Sequence, residues 1–431
     1  MEMKETWIID YARTPFSRSR PAQPERDAFG ELPGVELCAQ LLTHFMDEDR
    51  FLAGKGITRE DIQEVSVGAA VGYGENIPFS GRLPIWMAGF PFSTPAFYIE
   101  RACCSAGSGL HVAAMEIMTG HAKIALSAGY EHMTRAFRVR NPAASNPHPG
   151  ITDEKSPYYR PDIDYATARS MLQTAQKLYE QEVPNFTKEE MDKFGVRSHN
   201  LTIKNQEEGW FKDELVPIMG HVEGNIDEPL LIEKDLNARP SSMEGHAKLP
   251  RLSKAFYLQQ NGGKEGYVKR EGSEEGVITV GSSSPLNAGA TTALLMEAKE
   301  AEKRGLEPLA RIVSLGWAGV DPSVMGRGPV PATKMALEHA GLTADDIDYW
   351  EINEAFCIVA MNCLNHYNVP WEKVNVMGGS TAIGHPLGAT MIRLPGTVAR
   401  ILKTKKAKYG LATACAGFGQ GITTIIENID A

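Results

Sequence analysis

The chain has few cysteines, and they are badly spaced for cross-links or metal. Cys38, Cys103, Cys104, Cys357, Cys363 and Cys415 are the only six in 431 residues, with no CxxC pair and no Cys/His ligand spacing. That excludes a disulfide scaffold and argues against a zinc site. Reduced thiols in a reducing, cytoplasmic compartment are expected. No apolar run is long enough to span a bilayer, so no membrane insertion is expected. The acidic N-terminus lacks the basic-then-apolar pattern of a secretory leader. Positive charge is also in deficit. A net charge of −10 argues against a protein that coats nucleic acid or anionic membrane. The one basic cluster, Lys403, Lys405, Lys406 and Lys408, reads as a solvated helix C-terminus.

What remains is an ordinary globular composition, long enough for two or three cores. Short apolar runs at Trp7–Asp10, Val65–Val71, Lys123–Ala128, Ala310–Leu315, Val374–Val376, Leu411–Ala414 and Ile422–Glu427 read as buried strands. Helical periods cover Leu37–Phe45, Ser105–Gly120, Thr291–Lys303, Pro331–Ala340 and Thr390–Lys403. Alternating strands and helices predict an α/β fold with a parallel sheet covered on both faces. The polar middle of the chain, about 136–275, reads as an inserted lid or oligomerisation domain. It carries amphipathic helices near Met171–Tyr179 and Lys188–Gly209 and a Gly- and charge-rich loop at Gln259–Glu275. The strand at Ala122–Gly129 is echoed at Ala407–Gly417, each following a helix opened by a small-residue turn. That echo predicts two halves of one topology, with both turns meeting at a pseudo-symmetry axis.

Chemistry concentrates in four clusters: Cys103-Cys104-Ser105-Ala106-Gly107, Glu351-Ile352-Asn353-Glu354-Ala355-Phe356, the stretch Gly378–Gly388 around His385, and Cys415–Gly421. In the first, an extended run meets a helix start at a thiol. A helix N-terminus favours thiolate, and a free thiol near pKa ~8.5 needs such help or a histidine base. Either cysteine of the pair is a candidate on these grounds. Glycines around His385 and Cys415 let backbone N–H groups approach a ligand, as an oxyanion requires. Two thiols, an imidazole and a carboxamide, with no metal motif, point to acyl transfer through a thioester. Cys38, Cys357 and Cys363 read as core, and His111 and His199 as structural.

These clusters resemble the thiolase superfamily. Asn-Glu-Ala-Phe at 353–356, Gly-His-Pro-x-Gly at 384–388 and Cys-x-Gly-x-Gly-Gln-Gly at 415–421 occur in the family's order. Supporting matches run from Ala12-Arg-Thr-Pro through Arg197-Ser-His to Asp321–Pro329. The resemblance implies a duplicated, five-layer α-β-α-β-α fold. Its N-terminal domain would be 1–298, holding the insertion, and its C-terminal domain 299–431. It also singles out Cys103, because Gly120, Gly129 and Glu131 fall on family positions without gaps only with that residue as nucleophile. Ala106, Ala288, Ser170 and a long loop at about 254–275 depart from the family pattern.

The implied enzyme is an acetyl-CoA acyltransferase that cleaves 3-oxoacyl-CoA with CoA, or runs the reverse condensation. Cys103 would be acylated, His385 would be its base, and N–H groups of Cys103 and Gly417 would hold the oxyanion. Asn353 would hold a water at the enolate, and Cys415 would move the second proton. Ser284, Met171, Met325 and Phe356 match positions along the pantetheine and acyl tunnel. Coenzyme A is then a substrate, with no tightly bound cofactor, and a homodimer or homotetramer is implied. A ketoacyl synthase-like condensing enzyme and a non-catalytic acyl-CoA-binding subunit are the alternatives; Cys415 argues against the first and the complete four-part site against the second.

Overall fold

A computed structural model describes residues 3–72, 79–138, 149–183, 185–251 and 276–431. The predicted loop at 259–275 lies outside the described residues, as does the whole of the long segment at 254–275. Among the described residues, nine strands make the main sheet: β1 (Thr6–Arg13), β2 (Glu64–Gly68), β3 (Ala96–Ile99), β4 (Ile124–His132), β5 (Asn287–Glu297), β6 (Ala310–Gly319), β7 (Tyr349–Ile352), β8 (Tyr409–Ala416) and β9 (Gln420–Glu427). The two-residue strand Ser17–Arg18 pairs beside β5 as a tenth. The order is β7-β8-β9-β6-β1-β5-β4-β2-β3.

That order is nearly a palindrome about the β1–β6 junction, which is held by only Trp7↔Arg311 and Ile8↔Ala310. On one side β1, β5, β4, β2 and β3 follow; on the other, β6, β9, β8 and β7. The fifth strand of the second half is reduced to a bridge from Val374 to Trp350, so the expected strand at Val374–Val376 does not form. The sheet is mixed, not parallel as expected. β2 runs parallel to β3 and β4, and β7 parallel to β8, but β4–β5, β5–β1, β1–β6, β6–β9 and β8–β9 are antiparallel. The expected helix at Thr291–Lys303 is mostly β5, and only Ala298–Lys303 is helical. A strand buried on both faces loses its polar alternation, and its Ala/Leu run is then indistinguishable from a helix by period.

The principal helices are α1 (Gly34–Asp47), α2 (Ser105–Thr119), α3 (Met171–Glu182), α4 (Lys188–Glu207), α5 (Pro329–Ala340), α6 (Cys357–Tyr367) and α7 (Thr390–Lys405). Successive strand residues feed different cores, as a period of two requires. Leu126 and Leu294 pack with α1, whereas Ala125 and Leu295 pack with α2 and α7. In the second half Leu411 and Ile425 pack towards α5 and α6, and Ala412 and Ile426 towards the same central helices. The layers are therefore α-β-α-β-α, with α2 and α7 in the middle. Gly107 permits their contact, since a Cβ there would sit 2.5 Å from Met391 Cβ. Within the polar middle segment, α4 opens with a reciprocal cap between Thr187 and Glu190. A hairpin follows at Ile218–Val222 and Asn225–Ile232.

Candidate active site

β3 delivers the chain to α2 through a tight turn. Ala102 takes a left-handed φ of 45°, and Cys104 N–H donates to Arg101 C=O at 2.9 Å. Ser105 Oγ locks the turn, accepting from Arg101 N–H at 2.9 Å and donating to Ala102 C=O at 2.7 Å. The two adjacent thiols end in different places. Cys103 is 8% exposed and lines a cavity, while Cys104 is fully buried. Cys104 Sγ faces the carbonyls of Ala414 and Cys415 at 3.7 and 3.6 Å.

Backbone N–H groups of Gly417 and of Cys103 itself reach Cys103 Sγ and favour its thiolate. Burial outweighs them and, aided by Glu131, pushes the thiol up to about 12. The pull of a helix start towards thiolate is therefore outweighed at this position. Cys103 precedes the cap residue Cys104, so it stands outside the helix and inside a desolvated wall.

His385 sits in the Gly384–Gly388 turn. Gly384 has φ 121° and ψ 164°, a conformation essentially reserved for glycine. His385 N–H donates to Asn287 Oδ1 at 2.7 Å, and its Nδ1 lies 2.6 Å from Thr390 Oγ1. Thr390 donates its own proton to Pro386 C=O at 2.8 Å. Its oxygen therefore accepts from an Nδ1–H, leaving Nε2 as the basic nitrogen. Burial, then the Arg393 charge, pushes this imidazole down to about 3. Thiol and imidazole are thus a neutral pair at rest.

Asn353 follows β7 and is anchored by its N–H to Thr413 C=O at 2.9 Å. Its Nδ2 lies 3.3 Å from His385 Nε2, and its Oδ1 accepts from Ser380 Oγ at 2.7 Å. Next to it, the buried Glu354 carboxylate accepts from Ser198 Oγ, Asn375 Nδ2 and Thr381 N–H at 2.8, 2.7 and 3.0 Å. That clamp ties α4 to the Gly378–Thr381 loop. Glu131 does the same for the His385 turn, accepting from Gly388 N–H at 3.1 Å and Ala70 N–H at 2.8 Å. Sequence reasoning gave no role to Glu354, Ser198 or Thr390, although the first two lie inside motifs it quoted. Cys415 closes β8 and is completely buried; desolvation, then the neighbouring Cys103, pushes its thiol up.

Cys103 and His385 open on one cavity of about 470 Å³, lined also by Met171, Ser284, Met325 and Phe356. All four residues expected along the tunnel are therefore on its wall, whereas Asn353 and Cys415 are wholly buried behind it. Gly417 faces Met171, since a Cβ there would lie 3.8 Å from the Met171 Sδ. A second cavity of about 260 Å³ shares Leu172 and Ser283–Leu286 with the first and adds Arg18, Asn237 and Arg239. Burial, Arg20 and Arg239 together hold Arg18 below its usual value. Two arginines, Arg18 and Arg239, thus line the second cavity and not the one that holds Cys103 and His385. Together the cavities have the size and the apolar wall of a small-molecule site, with cationic side chains in the second. No helix among the described residues is long and apolar enough to cross a membrane.

Residues 6–262 match the family description "Thiolase, N-terminal domain" and residues 306–428 "Thiolase, C-terminal domain". The chain is 34% identical over 432 residues to a 3-ketoacyl-CoA thiolase of Saccharophagus degradans, covering 100% of both chains. It is 35% identical to one of Marinobacter nauticus, covering 99% of each. Its structure is similar to the crystal structure of the Bacillus anthracis acetyl-CoA acetyltransferase, with TM-score 0.80, 28% identity and 99% of each chain covered. It is likewise similar to human mitochondrial 3-ketoacyl-CoA thiolase, with TM-score 0.79, 26% identity and 100% of each chain covered.

Proposed function

The chain belongs to the thiolase family, and on that premise we propose how its residues carry out the reaction. It is an acyltransferase that cleaves a 3-oxoacyl-CoA with CoA into acetyl-CoA and a shortened acyl-CoA, or condenses them in reverse, through an acyl-cysteine. The observation that carries our assignment is that Cys103 faces the Gly417 N–H and shares its cavity with His385.

Cys103 Sγ attacks the 3-keto carbon as its proton passes to His385 Nε2. A neutral thiol beside a neutral imidazole makes that transfer part of the attack. N–H groups of Cys103 and Gly417 hold the oxyanion. The bond between C2 and C3 breaks, and its electron pair goes to the acetyl-CoA enolate. Asn353 Nδ2–H and His385 stabilise the enolate oxygen, Asn353 through a water. Cys415 gives its proton to C2, and acetyl-CoA leaves. Incoming CoA then gives its thiol proton to the Cys415 thiolate and attacks the acyl-cysteine. Cys103 departs and recovers its proton from His385.

Coenzyme A enters as a substrate. Its pantetheine arm lies along Ser284, Met171, Met325 and Phe356, and its phosphates meet Arg18 and Arg239. The Arg18 and Arg239 side chains lining the second cavity support this placement. We place the domain division at 298/299, where β5 gives way to the segment leading to β6. Six free, buried thiols support a cytoplasmic, reducing setting. The edge strand β3, beside exposed Trp86, Met87 and Phe92, supports a homodimer or homotetramer. Loss of acetoacetyl-CoA enolate absorbance on adding CoA tests the activity, and kcat/KM over a series of acyl lengths defines the substrate. No turnover with any 3-oxoacyl-CoA would sink the proposal.

A further inference from the structure

Asn353 presents one end of its carboxamide to His385, and a short chain of buried groups decides which end. Arg393 Nη2 donates to Ser380 Oγ at 3.1 Å, and Ser380 Oγ lies 2.7 Å from Asn353 Oδ1. Arg393 is held from behind by Glu351, with Nη1 3.4 Å from Glu351 Oε2. All four side chains are fully buried. A guanidinium only donates, so Ser380 Oγ must accept from Arg393. Among the described residues its single proton then has one acceptor on offer, Asn353 Oδ1. If the carboxamide were turned over, its NH2 would meet that hydroxyl, and the hydroxyl proton would point at donors alone. The chain from Arg393 through Ser380 to Asn353 is therefore directional, and it aims the Asn353 NH2 at His385 Nε2, 3.3 Å away.

We propose that Ser380, backed by the Arg393–Glu351 pair, is a positioning residue that keeps Asn353 in its donor orientation for the carbon–carbon step. This rests on the role given to Asn353 above, at the enolate oxygen. It follows that Ser380 matters when the enolate forms or reacts, and not when an acyl group merely moves between CoA and Cys103. The hydroxyl is not part of the reacting constellation. It acts only through the carboxamide it holds, and a methyl in its place leaves Asn353 free to turn over.

The test uses the full-length enzyme and two assays on each variant. Thiolysis of acetoacetyl-CoA reports the carbon–carbon step. Exchange of labelled CoA into acetyl-CoA reports acyl transfer alone. Ser380→Ala is expected to lower kcat for thiolysis about tenfold, with KM within about twofold and the exchange rate unchanged. In an Asn353→Ala background, which is itself slow in thiolysis, adding Ser380→Ala is expected to lower the rate no further. A parallel fall in thiolysis and exchange would show a merely structural role and overturn the inference. So would wild-type thiolysis in Ser380→Ala, or effects that multiply in the double variant. Wild-type thiolysis in Asn353→Ala alone would instead remove the role of Asn353, a separate failure. Urea unfolding midpoints confirm that each variant is folded as assayed.

Discussion

Acidification is expected to unfold this enzyme before it titrates the catalytic pair. Burial holds His111, His199 and His385 each at about 3, against about 6.5 for the unfolded chain. A depressed folded value leaves stability intact above 6.5 and removes it as pH falls towards 3, because only the unfolded state takes the protons. Glu351 works the other way: burial, opposed by Arg393, pushes it up to about 8. Its contribution is complete below about 4.5 and is lost as pH rises to 8. Between pH 6.5 and 4.5 the unfolded state gains three imidazole protons while the native state holds one on Glu351. A net uptake of two protons corresponds to about 2.7 kcal/mol per pH unit. Two units then remove about 5 kcal/mol, the scale of a whole folding margin. Stability should peak near pH 6.5. Urea melts across pH 4.5–8 measure the slope, and His111→Gln should lower it by about one proton, or roughly 1.4 kcal/mol per unit. His111 is suited to this because its Nε2 bonds Thr424 Oγ1 at 2.8 Å, away from the cavity. Meanwhile kcat/KM should show no limb from His385 or Cys103 between pH 6 and 9. Loss of kcat/KM with an apparent pKa near 6.5 while the protein stays folded would refute the reasoning, as would a slope that His111→Gln leaves unchanged.

Three further predictions concern the proposed reaction centre. Cys103→Ser should cut turnover by about 10⁴-fold or more and leave no acyl-enzyme in a quenched mass spectrum. Cys104→Ser should still acylate, at a stability cost of about 1–2 kcal/mol for a changed buried group; acyl label trapped on Cys104 would reverse the assignment. Gly384→Ala should destabilise by about 1–3 kcal/mol, because its backbone region excludes side chains. The added Cβ would also lie 2.9 Å from Asn237 Nδ2 and 3.0 Å from the Asn287 carboxamide that holds His385. A fall in kcat beyond the loss of folded protein is therefore expected, and an unchanged kcat would show that this carboxamide yields without moving His385.

Two of the proposed reacting residues, Cys103 and His385, were legible because each sits among small residues in a turn, where chemistry and backbone geometry leave marks together. Cys415 lies within β8 just before Gly417, and Asn353 follows β7 between Ile352 and Glu354, so their motifs rather than a turn mark them. What surrounds them was less legible. β5 read as helix because both its faces are buried, so no polar alternation survives along Thr291–Leu295. The fifth strand of the second half has shrunk to the single bridge at Val374, too short to be told from a full strand in sequence. Ser380 lies in a quoted motif, but nothing in the chain order says that Arg393, thirteen residues on, reaches back to its hydroxyl.

The resting charge of the thiol shows where sequence logic stops. A helix start and a histidine in the same cavity both argue for thiolate, although Cys103 stands one residue before the helix cap. Whether they prevail depends on how much water the thiol loses, which is a property of the whole packed interior. Here Cys103 stands between β3 and α2 and packs in one core with residues of α7 and β8, so the chain of both halves encloses it. Burial there shifts the thiol up and the imidazole down, so each opposes charge on its own. A neutral pair costs little to bury and becomes an ion pair only when a carbonyl arrives to accept the sulfur's electrons. The Gly417 and Cys103 N–H groups face the same sulfur, so the site stabilises negative charge best once it has moved from sulfur to the substrate oxygen. On the proposed roles, duplication supplies more than a scaffold: it buries Cys103 of one half against His385 and the Gly417 N–H of the other.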